Sequence, residues 1–211
     1  MKIGIIGSGN VGGTLGTRWA KNGHNVMFAT REAGSAKMTK LLASAPGAGS
    51  GTAEAVARVS DVLLLAIPWS AAEEALKSAG DLSGKIIIDA INPVLPDLSG
   101  LAIGTTSSAG EMVASWTPGA KVVKALNTVG YYVMADPTFA QGPVTMLYCG
   151  DDADAKKTVA PLIAELGFDP LDAGPLSQAR LLEPFAMLWI SLAMKQGYGR
   201  DIAFRFIRRA G

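Results

Sequence analysis

The chain has 211 residues, 49% of them hydrophobic and 18% charged, with a formal net charge of +1; it is long enough for one large core and too apolar to be disordered. A balance this close to neutral excludes the broad positive field that nucleic acid or an anionic membrane surface would need, so any anion site must be local. The single cysteine, Cys149, excludes an internal disulfide, and the single histidine, His24, excludes most zinc constellations.

The apolar run KIGII at 2–6 passes directly into Gly7-Ser8-Gly9-Asn10-Val11-Gly12 and a helical pattern over 10–22. A G-x-G-x-x-G stretch means little alone, but here it leaves a strand and opens a helix, which is where such glycines serve a pyrophosphate. Gly7 permits the tight turn, Gly9 lets a phosphate approach the backbone, and Gly12 lets the helix pack on the strand. The free N–H groups of the helix start then hold the charge. His24 lies in the turn into the next run, NVMFAT at 25–30, away from the strand's carboxyl end, and a structural role is expected for it. About twenty residues after a first strand such as this begins, a carboxylate commonly holds a ribose 2'-hydroxyl. Here the pair is Thr30-Arg31. A carboxylate would repel a 2'-phosphate, whereas Arg31 can pair with it bidentately and Thr30 can donate to it, so NADP(H) is inferred over NAD(H). Ser35 and Lys37 stand where they would complete that pocket, although a lone lysine there is more often a solvated helix charge.

Further runs at 61–66, 85–90, 121–126 and 144–149 alternate with helical patterns at 35–44, 53–59, 70–79, 108–116 and 152–166. Continuous β-branched runs of this length suit strands covered on both faces, and the alternation predicts an α/β, doubly wound, mostly parallel sheet built from right-handed βαβ units. The stretch APGAGSG at 45–51 reads as a loop. Ligands meet such sheets at the strands' carboxyl ends, so Ile67 and Pro68, Asn92, and Ala125 with Asn127 should converge on ribose and nicotinamide. Asn92 and Asn127 are the best candidates to line a redox site, because short amides bind a carboxamide or an acceptor ring without charge; each could instead serve a turn. The last stretch, 176–199, is apolar on more than one face. Ser177 is a possible cap, Pro184 should kink the helix or begin a second one, and Gly197 and Gly199 are stops. Such a helix is covered by its own sheet and by a second subunit, or simply closes the core.

No His-Asp pair and no Tyr-x-x-x-Lys pattern supplies a proton relay for carbonyl reduction. An acceptor that takes hydride without such help, a flavin or deazaflavin, needs none. Through IGIIGSGNVG, TR, AIPW, KALNT, CGDDADAK, LGFDPLDAGPLSQARLLEP and GYGRDIAFRF, the chain resembles the NADP oxidoreductase, coenzyme F420-dependent family over most of its length. It is also similar to the cytosolic reductase domain of membrane ferric reductases.

The resemblance implies a Rossmann-type NADP-binding domain over 1–175 and a C-terminal helical segment over 176–211 that completes the acceptor site and a homodimer interface. It implies NADPH-dependent hydride transfer to a flavin or deazaflavin acceptor positioned by Asn127, with Cys149 a small apolar residue at a strand end and a reactive thiol the lesser alternative. The deazaflavin-using enzymes have histidine where this sequence has Asn127; the ferric reductase domains have asparagine in a similar K-A-F-N-T run. Two other readings stand beside this one. One is an imine or ketone reductase, with Tyr131, Tyr132 or Lys195 as proton donor; the other is a non-enzymatic NADP(H)-binding sensor. No basic leader or apolar run of roughly 20 residues is visible, so a soluble, cytoplasmic protein with no nucleic-acid or membrane partner is expected.

Overall fold

A computed structural model describes residues 1–32 and 34–209; the last two residues of the predicted C-terminal segment lie outside the described residues. Eight strands form one sheet: β1 (Lys2–Ile6), β2 (Asn25–Ala29), β3 (Gly49–Gly51), β4 (Val62–Leu65), β5 (Ile86–Asp89), β6 (Lys121–Lys124), β7 (Thr145–Gly150) and β8 (Asp169–Asp172). Their order across the sheet is β3-β2-β1-β4-β5-β6-β7-β8. The helices are α1 (Asn10–Lys21), α2 (Ala36–Ser44), α3 (Ala53–Val59), α4 (Ala72–Ser78), α5 (Ala109–Trp116), α6 (Tyr131–Ala135), α7 (Ala153–Ala164) and α8 (Ala179–Met194). This is the doubly wound, Rossmann-type α/β architecture that the alternation predicts.

Because successive strand residues point to opposite faces, β4 sends Val62 and Leu64 into one core with Leu15 and Trp19 of α1. Leu63 and Leu65 enter the other with Val56 of α3, Leu76 of α4 and Val113 of α5. Both faces being buried explains why the strands read as unbroken apolar runs.

The structure departs from the sequence expectations at several places, the short helix α6 among them. Part of the stretch read as a loop, Gly49–Gly51, is the edge strand β3, paired in parallel with Met27–Ala29; a three-residue strand with two glycines carries no propensity signal and is made by its backbone ladder alone. Strand β7 runs antiparallel to β6. The connection between them carries the short helix α6, and the chain re-enters the sheet from the end at which it left. Lys124, the last residue of β6, pairs with Cys149, which leaves Thr145–Tyr148 projecting beyond β6. The strand β8, parallel to β7, was not expected at all. Finally, α8 passes through Pro184 without a break, and its cap position is Gln178, not Ser177, which lies in a preceding 3-10 turn. Pro184 sits early in the helix on its exposed side, so only one N–H bond, to the carbonyl of Arg180, is forgone.

Among the described residues no helix is long and apolar enough to cross a membrane.

Candidate functional site

Chain order reverses between β1 and β4: β2 and β3 lie on one side of β1, and β4 with the later strands on the other. A crevice opens at the carboxyl end of such a switch point, and the glycine loop occupies it. Gly7 has φ +114, and a Cβ there would meet the Ala66 carbonyl oxygen at 2.3 Å. At Gly12 a Cβ would lie 1.8 Å from the Gly7 carbonyl oxygen. Both glycines are demanded by the fold. Gly9 is not: its φ is −79, an ordinary value, and a Cβ there would meet nothing within 4 Å. The space in front of Gly9 is open. Gly9 caps α1, with no side-chain bond at the cap and no acidic residue in the first turn, so the N–H groups of Asn10, Val11 and Gly12 have no intrahelical acceptor. The Val11 side chain packs onto the core.

Beside this loop lies a cavity of about 710 Å³, lined among others by Gly7, Ser8, Thr30, Arg31, Ser35 and Lys37. Ile67 lines it as well, whereas Pro68 does not. Thr30 Oγ1 accepts from the Glu32 N–H at 3.1 Å, and Ser35 Oγ accepts from the Met38 N–H at 3.3 Å as the cap of α2. Both hydroxyls are thereby held in place, and among the described residues neither donates its own proton. The exposed carboxylates Glu32 and Glu74 line the cavity too. It is therefore not uniformly basic, and Arg31 and Lys37 supply its positive charge.

Asn92 and Asn127, 35 residues apart, meet at the ends of β5 and β6. Asn92 Nδ2 donates to the Asn127 main-chain oxygen at 2.7 Å, and Asn127 Nδ2 donates to Asn92 Oδ1 at 3.0 Å and to the Leu182 carbonyl of α8 at 3.4 Å. The two amides bind each other. Asn127 is 4% exposed, and its Oδ1 is buried with no hydrogen-bond partner. Leu126, fully buried immediately before it, holds φ at 58, a conformation that costs a leucine about 1–3 kcal/mol and that surrounding packing must impose. Ala125 is fully buried in the core, its N–H bonded to the Asp89 carbonyl.

Beneath the amide pair lies a charge cluster that sequence reasoning missed. Lys124 Nζ, with no exposed surface, sits 3.0 Å from Asp89 Oδ2 and 2.8 Å from Glu183 Oε1, and it also donates to the Ile91 carbonyl. Glu183 accepts from the N–H groups of Ala109 and Gly110 at 2.9 and 3.0 Å, and Asp89 Oδ1 accepts from the Ile91 N–H at 2.9 Å. Burial alone would depress the Lys124 ammonium, but the two carboxylates outweigh it and its pKa ends raised. The available signal was a charge ending each of two apolar runs, Asp89 in KIIIDA and Lys124 in KVVKAL, since charges are buried only when paired.

Helix α8 is further clamped to α5 by Arg180, which donates to Glu111 at 2.6 and 2.9 Å through two nitrogens. Its outer face leaves Leu181 65% and Leu188 51% exposed. Past α8 the chain returns along the projecting end of β7: the Thr145 N–H donates to the Phe204 carbonyl, and the Phe206 N–H to Thr145 Oγ1. Tyr131 and Tyr132 stack with centroids 4.1 Å apart, and Arg200 lies 5.8 Å over Tyr132. Among the described residues no hydrogen bond joins Tyr131, Tyr132 or Lys195 to the amide pair. His24 bonds the N-terminus at 3.2 Å and Glu165 at 2.8 Å, a structural place. Cys149 is buried, which pushes its thiol up to about 12.

Residues 2–93 match the family described as NADP oxidoreductase coenzyme F420-dependent. The chain is similar over 99% of its length, and over the whole of the other, to a solved structure from Arthrobacter sp. FB24 named as a candidate F420-dependent NADP-reductase, at 33% identity and a TM-score of 0.89. It is 32% identical over 183 residues to metalloreductase STEAP3 of Rattus norvegicus, which covers 86% of this chain; the chain spans 36% of that protein's length. A reductive aminase of Aspergillus terreus, solved with NADPH4, shares the fold at 23% identity and a TM-score of 0.68, over 93% of this chain and 62% of the other.

Proposed function

The chain belongs to the NADP oxidoreductase coenzyme F420-dependent family, and on that premise we propose that it transfers hydride between NADP(H) and a flavin-like acceptor at the carboxyl edge of its sheet. The observation that carries the nucleotide site is Gly9: with an ordinary φ and open space before it, it is a glycine that the fold does not require and that a close-lying pyrophosphate does. The start of α1 offers its unbonded N–H groups to the phosphates, with Ser8 and Asn10 beside them. Arg31, Lys37 and the hydroxyls of Thr30 and Ser35 face the cavity in which a 2'-phosphate is held. Ile67 and Pro68 border the nucleotide where β4 ends, and Asn92 and Asn127 meet its nicotinamide end, with Asn127 also positioning the acceptor.

When bound, NADPH supplies a hydride, two electrons with one proton, and an oxidised flavin or deazaflavin ring accepts it, taking its second proton from solvent. No side-chain acid is needed, which agrees with a neutral amide pair at the site. The buried oxygen of Asn127 without a partner and the open cradle at Gly9 both fit such ligands. The asparagine at position 127 favours a flavin over the deazaflavin, and the apolar outer face of α8 supports a homodimer that closes the acceptor site.

Anaerobic spectroscopy of NADPH oxidation against FMN, FAD, a deazaflavin and ferric chelates tests the reading. Turnover is expected with a flavin, and ferric chelate should be reduced only when flavin is present. Tight NADPH binding with no turnover against any acceptor would replace this reading with that of a sensor.

A further inference from the structure

The polarity of the Asn127 side chain is determined by its neighbours. Asn92 Nδ2 donates to the Asn127 main-chain carbonyl, and this turns Asn92 Oδ1 towards the Asn127 side chain. The Asn127 amide is therefore met by two acceptors, Asn92 Oδ1 and the Leu182 carbonyl. Rotating it by half a turn would set oxygen against oxygen at both contacts. Its Nδ2 is spent, and its Oδ1 is the buried side-chain atom among the described residues that lacks a partner. Unpaired buried acceptors are costly and uncommon, and one beside a candidate redox site calls for a ligand.

Resting on the hydride-transfer reading above, we propose that Asn127 Oδ1 receives a neutral N–H donor: the carboxamide of the nicotinamide or the imide of the acceptor ring. An oxygen with no second acceptor role to play selects a donor, and so it does not bind a ring carbonyl. The donor is uncharged, because the nearby carboxylates of Asp89 and Glu183 are already committed to Lys124 and to main-chain N–H groups. Oδ1 is itself sealed from solvent. The donor reaches it by displacing the side chains that cover it, and water does not compete once it is in place.

Two probes separate the sources. The 3-acetylpyridine analogue of NADP carries a methyl group in place of the carboxamide nitrogen, and 3-methyl-lumiflavin lacks the imide N–H of lumiflavin. Binding is measured by calorimetry for NADP+ and its analogue, and flavin reduction at saturating NADPH by stopped flow. In the wild-type protein the probe lacking the relevant N–H should be worse by roughly tenfold. A loss confined to the nucleotide pair assigns the donor to the carboxamide, and one confined to the flavin pair assigns it to the imide. Asn127→Leu should abolish the discrimination that the wild type shows, with a melting curve confirming that it folds; if it does not fold, the wild-type comparison decides alone. Affinities within about twofold and equal rates in both pairs overturn the proposal. A preference for NADP+ over NAD+ in the same titrations, with no discrimination by either probe, removes this inference alone; failure to bind NADP+ removes the underlying reading with it.

Discussion

Replacing Lys124 by methionine keeps the volume of the buried stem and removes its charge, leaving Asp89 and Glu183 facing each other at 0% and 1% exposure. Breaking a buried ion pair by removing one partner costs about 3–5 kcal/mol. The lower end applies here, because Glu183 keeps two main-chain N–H bonds and Asp89 keeps one, so about 3 kcal/mol is expected. For a protein of this size each kcal/mol moves the melting temperature by about 2–4 °C, which gives a fall of about 6–12 °C in a calorimetric melt. Because the Lys124 pKa is raised above its ordinary 10.5, its contribution is fully present below 10.5 and is lost as pH rises through the higher folded value. On the lysine's side the gap between wild type and Lys124→Met should therefore be flat across neutral pH and close in strong alkali. A variant within about 0.5 kcal/mol of wild type at pH 7 would show that the carboxylates have other compensation and that the cluster does not anchor this edge of the sheet.

Arg31→Ala should weaken NADPH by roughly ten- to a hundredfold and NADH hardly at all, the loss of one charge-assisted bidentate contact; equal losses in calorimetric titration would remove Arg31 from the phosphate pocket. Asn127→Ala should lower hydride transfer by up to about a hundredfold, with NADPH binding held within a few fold where the acceptor ring supplies the donor and weakened by roughly tenfold where the carboxamide does, and Asn127→His should move preference towards a deazaflavin. Stopped-flow rates unchanged with every acceptor would take Asn127 out of the site. Cys149, with its thiol pushed up to about 12 by burial, should resist iodoacetamide at pH 8 in the native protein and react once unfolded, as mass spectrometry would record. A dimer through the outer face of α8 should dissociate in Leu188→Asp, since Leu188 is 51% exposed in the single chain; light scattering that returns 21.8 kDa for the wild type at micromolar concentration would refute the dimer.

The sequence by itself determined what depends on local pattern. The strand runs, the helices between them and the glycine loop were legible because periodicity, turn chemistry and short-range spacing are written in neighbouring residues. Thr30-Arg31 and Asn92 with Asn127 could be nominated because a doubly wound sheet brings strand ends together wherever they lie in the chain. Tertiary structure alone decided the rest. Strand β3 exists only because β2 offers it a ladder. The reversal of β7 shows only in its pairing, Lys124 against Cys149, which no run of neighbouring residues announces. The Asp89–Lys124–Glu183 cluster joins residues from β5, β6 and α8, each an isolated charge in an apolar stretch until the fold pairs them. That Asn127 has its nitrogen spent and its oxygen free depends on which way Asn92, 35 residues earlier, is turned. A residue's type can suggest that it binds something, but which of its atoms is left to bind is determined by neighbours that only the packed chain supplies.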